Sequence, residues 1–315
     1  MPLPHSAQRE LAAGLLAAAP AISPKYLYDA LGSRLFEAIC ELPEYYLTRT
    51  EAAIVARHGP ALAAAIDPGC TLIDLGAGNC AKAASLFPLL HPAQYVPVDI
   101  AADFLAEAVN GLRRRYPHIE MTPLAQDFSA TLTLPPTVRA ARRVVFYPGS
   151  SIGNFDPEAA LTLLRQARAA LGDDGSLLLG VDLVKPAPLL QAAYDDALGI
   201  TAAFNLNVLR HVNTLLGSDF DPRQWRHVAA FDGASGRVEM HLEARAPLDV
   251  HWPGGARHFE PGQRIHTENS YKYTRERAAG LLEQAGFAVQ SVWQDGEGWF
   301  ALIHAAALPQ VGAWH

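Results

Sequence analysis

Cysteine is scarce: the 315 residues hold three, Cys40, Cys70 and Cys80. The number is odd and no two stand as CxxC or CxxxC, so neither a disulfide framework nor a thiolate zinc site organises the chain. The twelve histidines are scattered, with no HExxH or other ligand-spaced pair, and no metal centre is expected. Basic charge is short as well. Lys and Arg total 25 against 32 Asp and Glu, a net charge of −7. The densest basic run, Arg113-Arg114-Arg115, reads as a solvated helix end, so no nucleic-acid partner is expected. Long hydrophobic runs are absent. The alanine-rich leading segment lacks a basic stretch, is broken by Pro20 and is too short for a bilayer, so no membrane association is expected and the cytoplasm is the default location. There is no internal repeat and no low-complexity linker.

What is present is apolar material, half of the chain by count, enough for one large domain or two of moderate size. Helical patterns cover Leu11, Leu15 and Leu16, then Tyr28 to Cys40, then Arg49 to Ala65. From Thr71 the pattern alternates. Strands are expected at Thr71–Leu75, Gln94–Asp99, Glu120–Leu124, Val144–Tyr147 and Ser176–Asp182. Helices between them are expected at Ala81–Leu90, Ala102–Tyr116 and Glu158–Leu171. Short buried strands alternating with helices specify a parallel sheet covered on both faces. Pro97 inside the second strand predicts a bulge or a short strand. After Lys185 the alternation stops. Helices are expected at Leu189–Leu198 and Ala203–Leu216, and strands at Val228–Phe231, Arg237–Glu243 and Arg264–Thr267. A helix over Thr274–Ala285 closes at Gly286. Phe287–Gln294 and Trp299–His304, joined by a short turn, form a terminal antiparallel hairpin.

The first strand runs into Gly76-x-Gly78-x-x-Ala81, and Asp99 ends the next strand. Glycines let a backbone approach a ligand, and a carboxylate there accepts both hydroxyls of a ribose. Any adenosine cofactor would suit this pattern, and a tight turn without a ligand is the plain alternative. Three features favour S-adenosylmethionine over a dinucleotide. Asp74, just before the glycines, suits a cationic sulfonium and would oppose a pyrophosphate. Asp127-Phe128 follows the third strand, where a side chain could reach an adenine amino group. The terminal hairpin resembles the antiparallel end of class I methyltransferase sheets.

The flanking segments carry a more specific likeness. Ser23 to Phe36, reading SPKYLYDALGSRLF, and Leu42 to Glu51, reading LPEYYLTRTE, resemble the N-terminal signature of the ergothioneine-pathway L-histidine Nα-methyltransferases. Phe146 to Phe155 (FYPGSSIGNF), Gly180 to Lys185 (GVDLVK), Ala193 to Asp196 (AYDD) and Thr201 to Leu209 (TAAFNLNVL) resemble later parts of the same family. The likeness spans nearly the whole chain.

That resemblance implies an α/β fold: a class I, Rossmann-like sheet with a terminal antiparallel hairpin, plus a smaller α+β substrate-binding domain. The methyltransferase domain would be residues 48–184 with 273–315, and the substrate domain 1–47 with 185–272. It implies S-adenosyl-L-methionine as cofactor and L-histidine, with its mono- and dimethyl forms, as small-molecule substrate. The product would be the trimethylated α-amine, hercynine. The cofactor would be held by Tyr28, Asp74, Gly76, Gly78, Lys82, Asp99 and Asp127. The substrate would be bound by Phe36, Tyr45, Gly149, Asn154, Tyr194, Met240, Glu268 and Ser270, with Tyr28, Tyr45 and Asn154 nearest the chemistry. Within that set Asn154 and Tyr194 would hold the amino-acid head, and Glu268 with Ser270 would read the imidazole. Asn269, between those two, has no assigned role. Three alternatives stand beside this reading: a relative methylating another amino acid or an indole-type amine, a protein that senses the cofactor without turnover, and a nicotinamide dehydrogenase.

Overall fold

A computed structural model describes residues 5–309. The chain opens with α1 (His5–Leu16), α2 (Ala30–Cys40) and α3 (Leu47–Ala65). In α1, Leu11 and Leu15 are buried, whereas Leu16 is exposed. The second helix starts two residues later than its sequence pattern, because the Asp29 carboxylate accepts the Gly32 amide at 2.7 Å and caps it there. In α3, Leu47, Glu51, Ile54 and Leu62 are buried along one stripe, so a carboxylate occupies a core position.

The alternating region follows: β1 (Thr71–Leu75), α4 (Ala81–Leu90), β2 (Gln94–Asp99), α5 (Ala102–Arg115), β3 (Glu120–Met121), β4 (Leu124–Ala125), β5 (Arg143–Tyr147), α6 (Pro157–Leu171) and β6 (Ser176–Asp182). The strand expected at Glu120–Leu124 is thus two short pieces. The reason lies in Pro97, within β2. The carbonyls of Tyr95 and Asp99 accept from Thr122 and Gln126 on the β3–β4 flank. Pro97, on the same flank by alternation, has no N–H to donate. The bulge expected in β2 is absent there; the neighbouring strand breaks instead.

Then come α7 (Ala187–Ala192), α8 (Ile200–Leu216), β7 (Trp225–Asp232), β8 (Arg237–Ala244), β9 (Leu248–Trp252), β10 (Gly255–Phe259), β11 (Arg264–Tyr271), α9 (Arg275–Gln284), β12 (Phe287–Gln294) and β13 (Phe300–Ala307). The helix expected to reach Leu198 stops at Ala192. Beyond it, the Asp196 carboxylate accepts the amides of Ile200 and Thr201 at 3.0 and 2.7 Å, which starts α8 afresh. The β9–β10 hairpin was not expected, although Leu248, Val250 and Trp252 alternate with exposed residues and Gly254 supplies a turn at φ 86°.

Two compact units result. One comprises the residues up to Tyr46 with Lys185–Ser270, and the other Leu47–Val184 with Tyr271 onward. The second carries a sheet ordered β12-β13-β6-β5-β1-β2-β3, with β4 also on β2. β1, β2, β5 and β6 are parallel, and β13 runs antiparallel to both β6 and β12. Its core packs Ile73, Val145, Leu177 and Ile303 with Leu163, Leu164 and Leu282 from the helices. The first unit carries the sheet β11-β8-β7, the β9–β10 hairpin and helices α1, α2, α7 and α8. Among the described residues no helix is long and apolar enough to cross a membrane.

Candidate active site

In the sheet unit, β1, β2, β4 and β5 deliver their carboxyl ends to one edge, where open α/β sheets bind ligands. Gly76 and Gly78 follow β1 with φ of 71° and 52°, backbone that suits glycine. A Cβ on Gly78 would meet nothing within 4 Å, so a ligand can lie against this loop. The Asp99 carboxylate accepts the Gly78 amide at 2.8 Å and the Ala101 amide at 2.9 Å. It fastens the loop to the end of β2 and keeps lone pairs for a diol.

Asp74 is 1% exposed; one oxygen accepts the Tyr95 hydroxyl at 2.7 Å and the other has no hydrogen-bond partner. Burial, partly offset by the Tyr95 hydrogen bond, raises its pKa to about 7. An orphaned buried oxygen beside an open glycine loop fits a cationic group, so this unit can hold S-adenosylmethionine. Asp127, past β4, spends its carboxylate on the amide of Ser129 at 3.1 Å and on the hydroxyl of the same residue.

Lys82, on the first turn of α4, pairs with Glu51 at 2.8 Å. Glu51 is 3% exposed and also accepts the Gly149 amide, at 2.9 and 3.2 Å to its two oxygens. A Cβ on Gly149 would lie 2.8 Å from the Lys82 ammonium. One carboxylate therefore joins two residues that the sequence reading placed on different ligands. Sequence reasoning missed Glu51; the available signal was a charge in an apolar helical stripe. Asn154 ends the turn after β5, half-buried, with no side-chain hydrogen bond among the described residues. The turn is held by Gly153, where a Cβ would fall 2.7 Å from the Tyr271 carbonyl oxygen. Phe128, paired with Asp127 in the sequence, stands edge-on to Tyr147 at 5.9 Å, and a Cβ on Gly76 would lie 3.9 Å from its ring.

The other unit holds the remaining residues. Tyr28, half-buried, sits edge-on to Phe36 at 5.6 Å and to Phe204 at 5.5 Å. Phe36 meets Tyr45 at 6.0 Å, and Tyr45 meets Tyr194 at 6.3 Å. Phe204, on α8, completes this aromatic belt and was not singled out from sequence. The belt ends in polar groups: the Tyr194 and Ser270 hydroxyls lie 2.6 Å apart. Tyr45 is buried, and burial, then the neighbouring Tyr194, raises its pKa well above the usual tyrosine value. Tyr28, expected at the cofactor and near the chemistry, has its ring neighbours in this belt.

Glu268 and Ser270 reach their positions through a slip in β11. Ile265 and Thr267 are buried and His266 is not, as in a regular strand; then Glu268 and Ser270 are buried and Asn269 is not. His266 Nε2 lies 3.0 Å from Asn269 Oδ1, three residues on, so the two half-buried side chains share one face. Alternation therefore shifts by one residue at Thr267–Glu268, which re-aims Glu268 inward. Asn269 is explained by that slip, since it turns away from the pair and closes on His266. Thr267 bonds the Met240 carbonyl at 3.0 Å, and Met240 is buried on β8.

A parallel sheet ending in a reversed hairpin, with paired glycines and an acid on its carboxyl edge, defines a class I S-adenosylmethionine-dependent methyltransferase. The chain belongs to the histidine-specific, S-adenosylmethionine-dependent methyltransferase family, whose sequence model matches residues 7–307. It is 39% identical over 306 residues to the histidine N-alpha-methyltransferase of Mycolicibacterium smegmatis, covering 94% of this chain and 93% of that one. The enzyme of the same name from Mycobacterium tuberculosis is 36% identical over 305 residues, with 95% and 94% covered. A solved Pyrococcus horikoshii protein shares the fold at a TM-score of 0.51 and 13% identity, covering 89% of this chain and 100% of that one.

Proposed function

We propose that this chain methylates the α-amine of L-histidine three times, using S-adenosylmethionine, to give hercynine for ergothioneine biosynthesis. The observation that carries the reading is the end of the aromatic belt, where Glu268, Ser270 and Tyr194 are buried together in one unit of a histidine-specific family member. A buried carboxylate with a hydroxyl pair suits a ring with two nitrogens and would be poorly paired beside a carbocycle.

S-adenosylmethionine supplies an already activated methyl group on a cationic sulfur. The chain's own work is therefore to bind, align and manage protons. Asp99 would hold the ribose, Asp74 the positive charge, Lys82 the amino-acid end, and Asp127 with Phe128 the adenine. On the substrate side, Glu268 accepts a ring N–H and Ser270 donates to the other ring nitrogen. The family resemblance assigns Asn154, Tyr194 and Gly149 to the amino-acid head. Tyr45 cannot serve as a base near neutral pH, because its proton is held more tightly than in a free phenol. Tyr45 and Tyr28 thus orient the amine and pass its proton to water, and their ring faces accommodate a growing cationic head.

Mass spectrometry of histidine incubated with the protein and S-adenosylmethionine tests this directly. A gain of three methyls, all on the α-nitrogen, is expected. Ring methylation, or inert histidine beside an active indole amino acid, overturns it.

A further inference from the structure

Tyr194 lies in neither flanking helix: α7 ends at Ala192 and α8 starts at Ile200. Its amide turns back to Gln191 at 3.1 Å, but its carbonyl is outside any regular hydrogen-bond ladder. A segment of this kind needs an external tether to hold a side chain in one place. The tether is His227 on β7, whose Nε2 lies 2.8 Å from the Tyr194 carbonyl oxygen. Its Nδ1 lies 2.9 Å from Asn205 Nδ2, on α8. That amide nitrogen also donates to the His241 carbonyl at 3.1 Å, and Asn205 is fully buried. An amide nitrogen only donates, so Nδ1 must accept and the ring proton must sit on Nε2, aimed at Tyr194.

We propose that His227, its tautomer set by Asn205, is a positioning residue for substrate: it fixes the backbone at Tyr194 and through it the Tyr194–Ser270 hydroxyl pair. The chain runs from Asn205 to His227 to the Tyr194 carbonyl, through the Tyr194 residue to its hydroxyl, and on to Ser270, its three hydrogen bonds measuring 2.9, 2.8 and 2.6 Å. Each member sits in one unit, and His227 touches no residue assigned to the cofactor in these bonds. Specificity then depends on a histidine of the protein that never meets the substrate. The inference rests on the reading above, in which Tyr194 and Ser270 bind histidine.

The test uses the full-length protein with substitutions His227→Phe, His227→Gln and Tyr194→Phe, and the double variant His227→Phe/Tyr194→Phe. Wild-type turnover of histidine is measured first; an inert wild type overturns the substrate reading and this proposal with it. With an active wild type, His227→Phe should raise the KM for histidine about 10-fold or more, with a much smaller change in kcat. The Kd for S-adenosylhomocysteine, read by calorimetry, should stay within about twofold. His227→Gln keeps an N–H within reach of the Tyr194 carbonyl and should recover most of the loss. In the Tyr194→Phe background the His227→Phe change should add less than about twofold, because both act on one hydroxyl. An unchanged KM in His227→Phe, equal loss of cofactor affinity, or multiplicative effects in the double variant would each overturn the proposal. Should His227→Phe fail to fold, the same readouts apply to Asn205→Ala, which frees the tautomer and should raise KM alone, and an unchanged KM there overturns the proposal.

Discussion

The hydroxyl oxygens of Tyr194 and Ser270 lie 2.6 Å apart in a buried site, close enough for a strong hydrogen bond. Each hydroxyl has one proton. If Ser270 is to donate to a ring nitrogen, it must accept from Tyr194. The groups proposed for the amino-acid head and for the ring are therefore linked, whereas the sequence separated them.

Tyr194→Phe should accordingly damage ring reading as well as head binding. Loss of a buried hydroxyl partner costs about 1–3 kcal/mol, so kcat/KM for histidine should fall roughly 10- to 100-fold. An amino acid with a carbocyclic side chain should lose less. Steady-state kinetics on both substrates checks this; an equal loss on the two would confine Tyr194 to the head.

Glu51 spans Lys82 and the Gly149 amide. Glu51→Gln keeps an acceptor for the amide but leaves the lysine charge uncompensated. S-adenosylmethionine carries one more positive charge than S-adenosylhomocysteine, so the variant should disfavour the first over the second. A shift in their affinity ratio of about 10-fold, on the order of 1.4 kcal/mol, is expected from calorimetry at low salt. A ratio equal to wild type would restrict Glu51 to a structural role.

Asp74 gives a pH signature. Burial raises its pKa to about 7, far above an ordinary aspartate near 3.8. The unfolded chain gives up this proton first, so the stability the protonated carboxyl contributes is complete below about pH 4 and is lost as pH rises through about 7. Asp74→Asn keeps a partner for the Tyr95 hydroxyl and removes the titration. It should raise stability at pH 8 by up to about 4 kcal/mol while leaving it near wild type at pH 4. Cofactor affinity should move the other way: in wild type it rises from pH 6 to pH 8 as Asp74 ionises, and in the variant it stays flat. Denaturant titration and calorimetry at three pH values read both effects. A variant whose cofactor affinity still climbs with pH places the titrating group elsewhere.

The sheet was legible because its signals are local. The runs Thr71–Leu75, Ser176–Asp182 and Phe287–Gln294 are apolar, short and bounded by turns, and they form strands over those residues. Pro97 was legible as a disturbance, but where the break falls depends on the hydrogen-bond flank, which no single segment encodes. The glycine loop was legible from Gly76, Gly78 and Asp99 because positive φ and carboxylate chemistry are properties of residue type. Glu51, Phe204 and His227 were not, since a lone glutamate, phenylalanine or histidine has the same local pattern whether it supports a site or fills a core. The slip at Thr267–Glu268 was hidden for a related reason: strict alternation is the default, and a one-residue shift shows only through the cross-strand neighbours.

Glu268 is the residue whose role that slip decides. It is 7% exposed and close enough to the Tyr45 hydroxyl to raise its pKa, though less than burial and Tyr194 do. Removing a buried hydrogen-bonding group from a pocket built for a polar ring leaves the ring's N–H unmatched. Glu268→Ala should therefore cut kcat/KM for histidine by at least about 100-fold, mainly through KM, while the Kd for S-adenosylhomocysteine hardly moves. The pocket should also become more tolerant of tryptophan, because a desolvated carboxylate no longer opposes an apolar ring. Asn154→Ala is the control. It lies after β5 and would act on the amino-acid head, which all substrates share, so it should depress histidine and tryptophan by one common factor. The decisive quantity is the ratio of kcat/KM for histidine to that for tryptophan in each variant. It should collapse in Glu268→Ala and hold in Asn154→Ala. Equal losses for both substrates in Glu268→Ala would make Glu268 a structural residue, and the imidazole would then have to be read by the Tyr194–Ser270 pair without it.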